Sequence, residues 1–261
     1  MHYWVVMPAA GIGRRFGSAK QYALLADRTV LQTALQVFLD DPQCRGGSVL
    51  LASADAQRRQ LAAQLPERIA LVDGGPERAH SVCNGLRSLE ARAGADDWVL
   101  VHDAVRPALS GADLQRLLRH GAADAVGALL ATPVADTVKR AHEDDAGGAG
   151  APGGAPALVR RCEATVPRQS LWLAQTPQMF RYAALRGALE RALAQGRIPT
   201  DEAQAMEWQG QAALLVPAQD SNLKITTAAD LALLQAILRQ RIDQGIAPGS
   251  GQAEHSNGVV Q

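Results

Sequence analysis

The sequence is poor in cysteine, in charge imbalance and in long apolar runs. Its three cysteines, Cys44, Cys83 and Cys162, are odd in number and lack metal-ligand spacing. That excludes a disulfide framework and points to a reduced, cytoplasmic setting. The six histidines show no His-x-x-x-His or similar pattern, so no zinc site is visible. Lys+Arg and Asp+Glu are both 26, giving zero formal charge, without the basic excess that nucleic-acid-binding domains usually carry. No apolar run approaches the roughly 18 residues of a membrane span. The first strand-like run begins at Tyr3, leaving no room for a signal peptide ahead of it. The expectation is a cytoplasmic protein with neither nucleic acid nor membrane as partner.

A length of 261 residues is enough for one large domain with a sizeable core. Strand-length apolar runs recur at Tyr3–Met7, Ser48–Ala52, Ile69–Val72, Trp98–His102, Ala125–Ala131 and Ala212–Val216. Helix-like patterns lie between and after them: "VLQTALQVFL", "ADAQRRQLAAQL", "SVCNGLRSLEA", "RYAALRGALERALAQG", "TDEAQAMEW" and "TAADLALLQAILRQRI". This alternation predicts an α/β fold with a mostly parallel, doubly wound, Rossmann-like sheet covered on both faces. Residues 143–157, "EDDAGGAGAPGGAPA", are almost all Gly, Ala and Pro and cannot form a core. They separate the strand-like pieces "ADTVKRA" and "ALVRRCEATV", which predicts a projecting two-stranded β-arm over about 136–166 with a flexible tip. The expected organisation is one domain over 1–244 and a disordered tail over 245–261.

A glycine-bearing turn follows the first strand-like run: "VVMPAAGIGRRFGSAKQY", residues 5–22. Turns of this kind approach a ligand closely, and phosphate is the common one. The dinucleotide fingerprint G-x-G-x-x-G is not met, because the third glycine, Gly17, comes one residue late. The acidic residue expected about 20 positions on is also missing, since the second strand-like run begins more than about 30 positions later. G-x-x-x-x-G-K-[ST] is absent too. Arg14, Arg15 and Lys20 crowd the loop, and three cations so close repel one another unless an anion joins them. Further on, "HDAVRP" sets Asp103 and Arg106 just past the apolar run Trp98–Val101, where ligands bind in open α/β sheets. Asp103 suits Mg²⁺, which takes one or two carboxylates beside substrate phosphates; the alternative is a carboxylate that caps the following turn.

"PAAGIGRRFGSAKQY" resembles the signature loop of nucleotidyltransferases that activate small phosphorylated alcohols. The 2-C-methyl-D-erythritol 4-phosphate cytidylyltransferase family of the non-mevalonate isoprenoid pathway is the most similar. "VDGGPERAHSV" (72–82), "VLVHDAVRP" (99–107), "TPVADTVKR" (132–140), "LWLAQTPQMF" (171–180), "TDEAQAMEW" (200–208) and "SNLKIT" (221–226) resemble that family's blocks in its order. Together they run from residue 3 to about 240. Each block alone is a weak signal; six in order are a strong one.

The resemblance implies attack by a phosphomonoester oxygen on the α-phosphate of CTP, with release of pyrophosphate. A phosphate monoester with a second pKa near ~6 is already mostly dianionic at pH 7, so the nucleophile needs no general base. The enzyme must instead manage anion–anion repulsion and the charge that develops at phosphorus. By resemblance, Arg15 and Lys20 neutralise that charge and the backbone N–H groups of Ala9, Ala10, Gly11 and Gly13 face the triphosphate. Gly74, Gly75 and Ser81 would read the cytosine, with Arg78 and Glu77 bracing their loop. Arg168 and Lys224 would hold the second substrate's phosphate, with Asp103, Arg106, Thr137, Thr176 and Thr200 also on the substrate side. Asp103, and more weakly Asp220, would bind Mg²⁺. The same resemblance implies a homodimer built through the β-arm, with Arg168 reaching the neighbouring active site.

The chain departs from the family in three places. Pro76 stands where an acidic or small residue is usual and removes a backbone donor. The Gly/Ala/Pro insert is longer than the family's arm tip, and the span from Arg15 to Lys20 is about two residues shorter than in some members. Sugar pyrophosphorylases have a longer gap between loop Arg and Lys, and molybdopterin guanylyltransferases lack the "HDAxRP" and "TDEA" blocks. Two alternatives remain at this stage: a ribitol-5-phosphate cytidylyltransferase, and a non-catalytic nucleotide-sensing module.

Overall fold

Tyr3 to Met7 are all buried, as a strand covered on both faces requires. The computed structural model describes residues 1–11, 19–142 and 160–243. The opening run is β1 (Tyr3–Pro8), followed by a short 3₁₀ turn (Lys20–Tyr22), β2 (Leu24–Leu25), β3 (Arg28–Thr29), α1 (Val30–Leu39), β4 (Cys44–Leu51), α2 (Arg58–Ala62) and β5 (Ile69–Asp73). Then come α3 (Arg78–Ser88), β6 (Trp98–Val101), α4 (Gly111–Ala123), β7 (Gly127–Pro133), β8 (Val138–Ala141) and β9 (Cys162–Val166). The described residues close with β10 (Trp172–Arg181), α5 (Tyr182–Ala194), α6 (Glu202–Glu207), β11 (Leu214–Pro217) and α7 (Ala228–Asp243).

Seven strands form one mixed, mostly parallel sheet in the order β11-β7-β10-β6-β1-β4-β5. β1 runs parallel to both β4 and β6, β4 parallel to β5, and β10 antiparallel to β6. Alternation along β1 divides the core. Tyr3, Val5 and Met7 pack with Leu31, Phe38, Leu114 and Leu117 of α1 and α4 on one face. Trp4 and Val6 pack with Val82, Leu86, Leu185 and Met206 of α3, α5 and α6 on the other. The chain builds outward from β1 through β4 and β5, then crosses back to lay β6 on the other side of β1. That reversal opens a crevice at the carboxyl ends of the strands, the usual ligand site of open α/β sheets.

Local chemistry explains the element boundaries. α1 starts at a capping box: the Thr29 hydroxyl accepts from the Gln32 N–H, and the Gln32 side chain accepts from the Thr29 N–H. α4, which the apolar reading above passes over, is capped by Ser110 accepting from the Asp113 N–H and buries Leu114, Leu117, Leu118 and Gly121. β10 is likewise a strand that pattern reading did not separate from its family block, and it runs antiparallel to β6.

The described chain divides into two compact units, one of Met1–Leu130 with Gln175–Gln261 and one of Ala131–Ala174. In the second, β8 and β9 form their own antiparallel pair, Val138 opposite Val166, over the two pieces expected to make the arm. Most of their residues are exposed. The expected flexible insert and the tail lie outside the described residues.

Candidate active site

Four segments converge on the crevice: Pro8–Gly11 at the end of β1, Gly74–Glu77 between β5 and α3, His102–Arg106 after β6, and Ser221–Lys224 ahead of α7. They line a cavity of about 320 Å³ whose walls include Ala9, Ala10, Gly11, Lys20, Gly75, Ser81, Asp103 and Lys224. Pro76, Glu77 and Arg78 line it too. A separate cleft of about 450 Å³ among the β2–β3 hairpin, α1 and α7 contains none of the residues expected to act on substrate.

Asp103 is the centre of the charge network. Its Oδ1 accepts from Arg78 Nε at 3.0 Å and its Oδ2 from Lys224 Nζ at 2.8 Å, while Arg106 Nε stands 3.9 Å from Oδ2. Burial works to raise this carboxyl's pKa; Arg78 first, then Lys224 and Arg106, outweigh it and hold it well below the usual range. Arg78 in turn donates two hydrogen bonds to Glu202, at 2.7 and 3.0 Å. Glu202 is fully buried, so its pKa is pushed up by desolvation against the pull of Arg78. The guanidinium of Arg78 loses solvation as well, but Glu202 and Asp103 more than compensate and strengthen its charge.

Behind Asp103 lies a neutral histidine. His102 is wholly buried, with Nε2 3.0 Å from the Arg106 carbonyl and Nδ1 3.1 Å from the Thr176 hydroxyl. A carbonyl can only accept, so Nε2 carries the proton and Nδ1 accepts from Thr176. The Thr176 oxygen then accepts from the Asp103 N–H at 3.0 Å. Burial, the largest cause, pushes the His102 pKa down to about 4, so the ring stays neutral near pH 7. Asn222 completes the frame: its Nδ2 donates to the Thr176 carbonyl at 2.7 Å, and its own carbonyl accepts from Arg106 at 2.7 Å.

The structure places the expected residues as follows. Lys20 lines the cavity and donates to the Ile225 carbonyl at 2.7 Å. Ala9 lends no N–H to a ligand, because that group extends the sheet to the Leu50 carbonyl at 2.8 Å. Gly74 N–H is similarly spent on Leu51, and Gly75 N–H on the Ser81 hydroxyl, which itself donates to the Glu77 carbonyl. The polar groups expected to read cytosine therefore fix the loop's shape. Thr176 is a positioning group, its hydroxyl used twice within the protein. Thr200 is exposed ahead of α6, its N–H donating to Gln204. Asp220 is exposed and outside the cavity wall, its N–H and that of Gln219 held by the buried Asp113 carboxylate. Thr137 and Arg168 belong to the second unit, exposed just before β8 and just after β9. Gly13, Arg15 and the rest of residues 12–18 lie outside the described residues.

What pattern reading did not find is the weight carried by Arg78 and Glu202. They are 124 positions apart in sequence, and nothing local marks two residues of different blocks as partners.

The pattern of the 2-C-methyl-D-erythritol 4-phosphate cytidylyltransferase family matches residues 3–240. A relative of that name in Pseudomonas aeruginosa is 48% identical over 236 residues, covering 89% of this chain and 94% of its own. Another in Halorhodospira halophila is 46% identical over 245 residues, covering 90% and 93%. Among solved structures, a 4-diphosphocytidyl-2C-methyl-D-erythritol synthase superposes with a TM-score of 0.74 at 32% identity, over 91% of this chain and 98% of that one. The Francisella tularensis 2-C-methyl-D-erythritol 4-phosphate cytidylyltransferase gives 0.73 at 29% identity, over 91% and 100%.

Proposed function

The chain belongs to the 2-C-methyl-D-erythritol 4-phosphate cytidylyltransferase family, and from that premise we propose how its own residues carry the reaction. The protein is an enzyme that transfers CMP from CTP to 2-C-methyl-D-erythritol 4-phosphate, giving 4-diphosphocytidyl-2-C-methyl-D-erythritol and pyrophosphate. Neither the ribitol-phosphate alternative nor a nucleotide-sensing role is favoured by its relatives. The observation that carries the mechanistic reading is the convergence of Lys20, Arg78, Asp103 and Lys224 on one cavity.

The attacking phosphate arrives dianionic, so the site needs cations more than a base. Lys224 keeps a side chain 42% exposed beside Asp103, in reach of an incoming phosphate, and Lys20, bonded to the neighbouring Ile225 carbonyl, lines the same cavity. Arg15, on the same loop as Lys20, adds a third cation. These groups screen the two anions from each other and stabilise the charge that grows on the α-phosphate. The N–H groups of Ala10 and Gly11 support the triphosphate. The exocyclic amine of cytosine is a donor that needs an acceptor, which a proline's backbone carbonyl can be as well as any other residue's, so the missing N–H of Pro76 does not oppose a cytosine.

Mg²⁺ fits the donor set in one place. Among the described residues no three His, Cys, Asp or Glu side chains come together, but this cation asks the protein for only one or two carboxylates when phosphates supply the rest. Asp103, ionised and on the cavity wall, is the candidate; Asp220 does not line the cavity. Asp103 would hold Mg²⁺ together with the CTP phosphates, and the ion would supply positive charge that offsets theirs. We assign Thr137 and Arg168 to the second substrate across a homodimer, each arm serving the other subunit's site. The exposure of β8 and β9 supports a partner for that pair, since an isolated two-stranded ribbon is marginal in water. All three cysteines are free thiols, which supports a cytoplasmic location; no helix among the described residues is long and apolar enough to cross a membrane.

Pyrophosphate release, measured for CTP, UTP, ATP and GTP crossed with methylerythritol phosphate and ribitol 5-phosphate, tests the reading. CTP with methylerythritol phosphate, in the presence of Mg²⁺, is the expected best pair. Faster turnover with ribitol 5-phosphate would overturn the substrate assignment and leave the reaction type standing.

A further inference from the structure

We infer that Glu202 and Arg78 form a positioning pair for this reaction: Glu202 holds the Arg78 guanidinium on Asp103 and away from the CTP phosphates. The inference rests on the functional reading above and extends it to two residues that need not touch the reacting atoms.

Four observations support it. Arg78 lines the cavity, so a triphosphate entering there meets a guanidinium, the side chain best suited to bidentate phosphate binding. Yet that guanidinium is already committed on two sides, with both terminal nitrogens on Glu202 and Nε on Asp103. Glu202 has a side chain only 1% exposed and has nothing to offer a ligand directly. Its helix is anchored independently of the pair: Gln178 on β10 donates to Asp201 at 3.0 Å and accepts from the Ala203 N–H at 2.8 Å. The carboxylate of Glu202 is thus a fixed point on the sheet, and Arg78 is oriented from it.

The arrangement decides which cations remain available. Among Arg78, Arg106, Lys224, Asp103 and Glu202 the charges sum to +1; Glu202 gives both its oxygens to Arg78, while Asp103 gives one to Arg78 and one to Lys224. With Glu202 in place, the cations that can move to phosphate are those on flexible stems, notably Lys224. Without its charge, Arg78 is free to bind the triphosphate tightly in the ground state. Asp103 would then lose the guanidinium that holds its Oδ1 and, with it, its fixed orientation. An interaction gained in the ground state and lost at the transition state lowers kcat without raising KM.

The test is Glu202→Gln, which keeps shape and one acceptor but removes the charge, assayed with CTP and methylerythritol phosphate beside the unaltered enzyme. We expect kcat to fall at least about tenfold while KM for CTP stays level or falls. The double variant Arg78→Met with Glu202→Met separates position from stability, since apolar replacement of a buried ion pair is often neutral for the fold. It should melt near the unaltered protein and remain slow. Glu202→Gln turning over within about threefold of normal, or losing activity only through KM, overturns the inference. So does a double variant that regains normal kcat. If Glu202→Gln does not fold, the double variant decides alone. Inactivity of the unaltered enzyme with these substrates would instead count against the functional reading.

Discussion

Lys20 and Lys224 both rest on oxygen atoms of the protein itself, Lys20 on the Ile225 carbonyl and Lys224 on Asp103. Such contacts hold a flexible cation near the cavity and can be exchanged for a phosphate oxygen as negative charge builds. If the exchange happens on the way to the transition state, Lys20→Ala should lower kcat by about 10²–10³, the usual cost of one preorganised donor. KM for methylerythritol phosphate should change much less, and Arg15→Ala should behave alike. Steady-state kinetics on both variants distinguishes this from a binding role, which would move KM alone. Asp230 allows a test of stability rather than rate. It accepts from the Thr226 hydroxyl and the N–H groups of Thr226 and Thr227, which hold its pKa down to about 2. An unfolded aspartate titrates near ~3.9, so the stabilisation is fully present above that pH and is lost as pH falls through about 2. Asp230→Asn, which mimics the protonated form, should melt below the unaltered protein at neutral pH. The gap should close between about pH 4 and pH 2; a gap independent of pH would refute the assignment.

Elements differ in how plainly the sequence announces them. "VLQTALQVFL" reads as a helix and is α1 without adjustment, because its apolar spacing and its Thr29 cap agree. The first strand and the one at Trp98 are equally plain, since buried parallel strands are nearly pure apolar runs. α4 carries a weaker signal: Leu114, Leu117 and Leu118 have helical spacing, but Gly111 and Gly121 lie within the helix, and glycine is a poor helix former. β10 changes from exposed to buried along its length, so it matches neither strand template. The site follows the same division. Loop residues such as Asp103 and Lys224 are marked by their motifs, whereas the Glu202–Arg78 pair exists only once α6 and α3 are folded onto one sheet. Gly74 shows how closely those loops meet. A Cβ there would lie 2.5 Å from Ala10 Cβ and 3.0 Å from Ser81 Oγ, and a Cβ neighbour cannot swing aside. Gly74→Ala should therefore push the two nucleotide loops apart and raise KM for CTP by about tenfold, within the 1–3 kcal/mol usual for overpacking. Gly196→Ala is the control: φ is +69° and nothing lies within 4 Å, so it should cost about 1–2 kcal/mol of stability and no activity. Equal kinetics for the two variants would show that the Gly74 contact is merely structural.

On the scale of the whole molecule, the proposed dimer makes a numerical demand on activity. If each arm serves the other subunit's site, Lys20 and Arg168 of one active site come from different chains. Lys20→Ala and Arg168→Ala variants, each inactive alone, should then complement when mixed. In a mixed dimer one site takes both defects and the other takes neither. Random exchange makes half of the dimers mixed, each with one intact site of two, so activity should recover to roughly a quarter of the unaltered enzyme. Subunit exchange has to be demonstrated separately, for example by energy transfer between two labelled preparations. Mass measurement in solution should show a dimer, since the exposed β8–β9 pair needs a surface to cover it. Exchange without recovery of activity would place Arg168 in its own subunit's site and refute the crossed arrangement, even if the dimer itself is found.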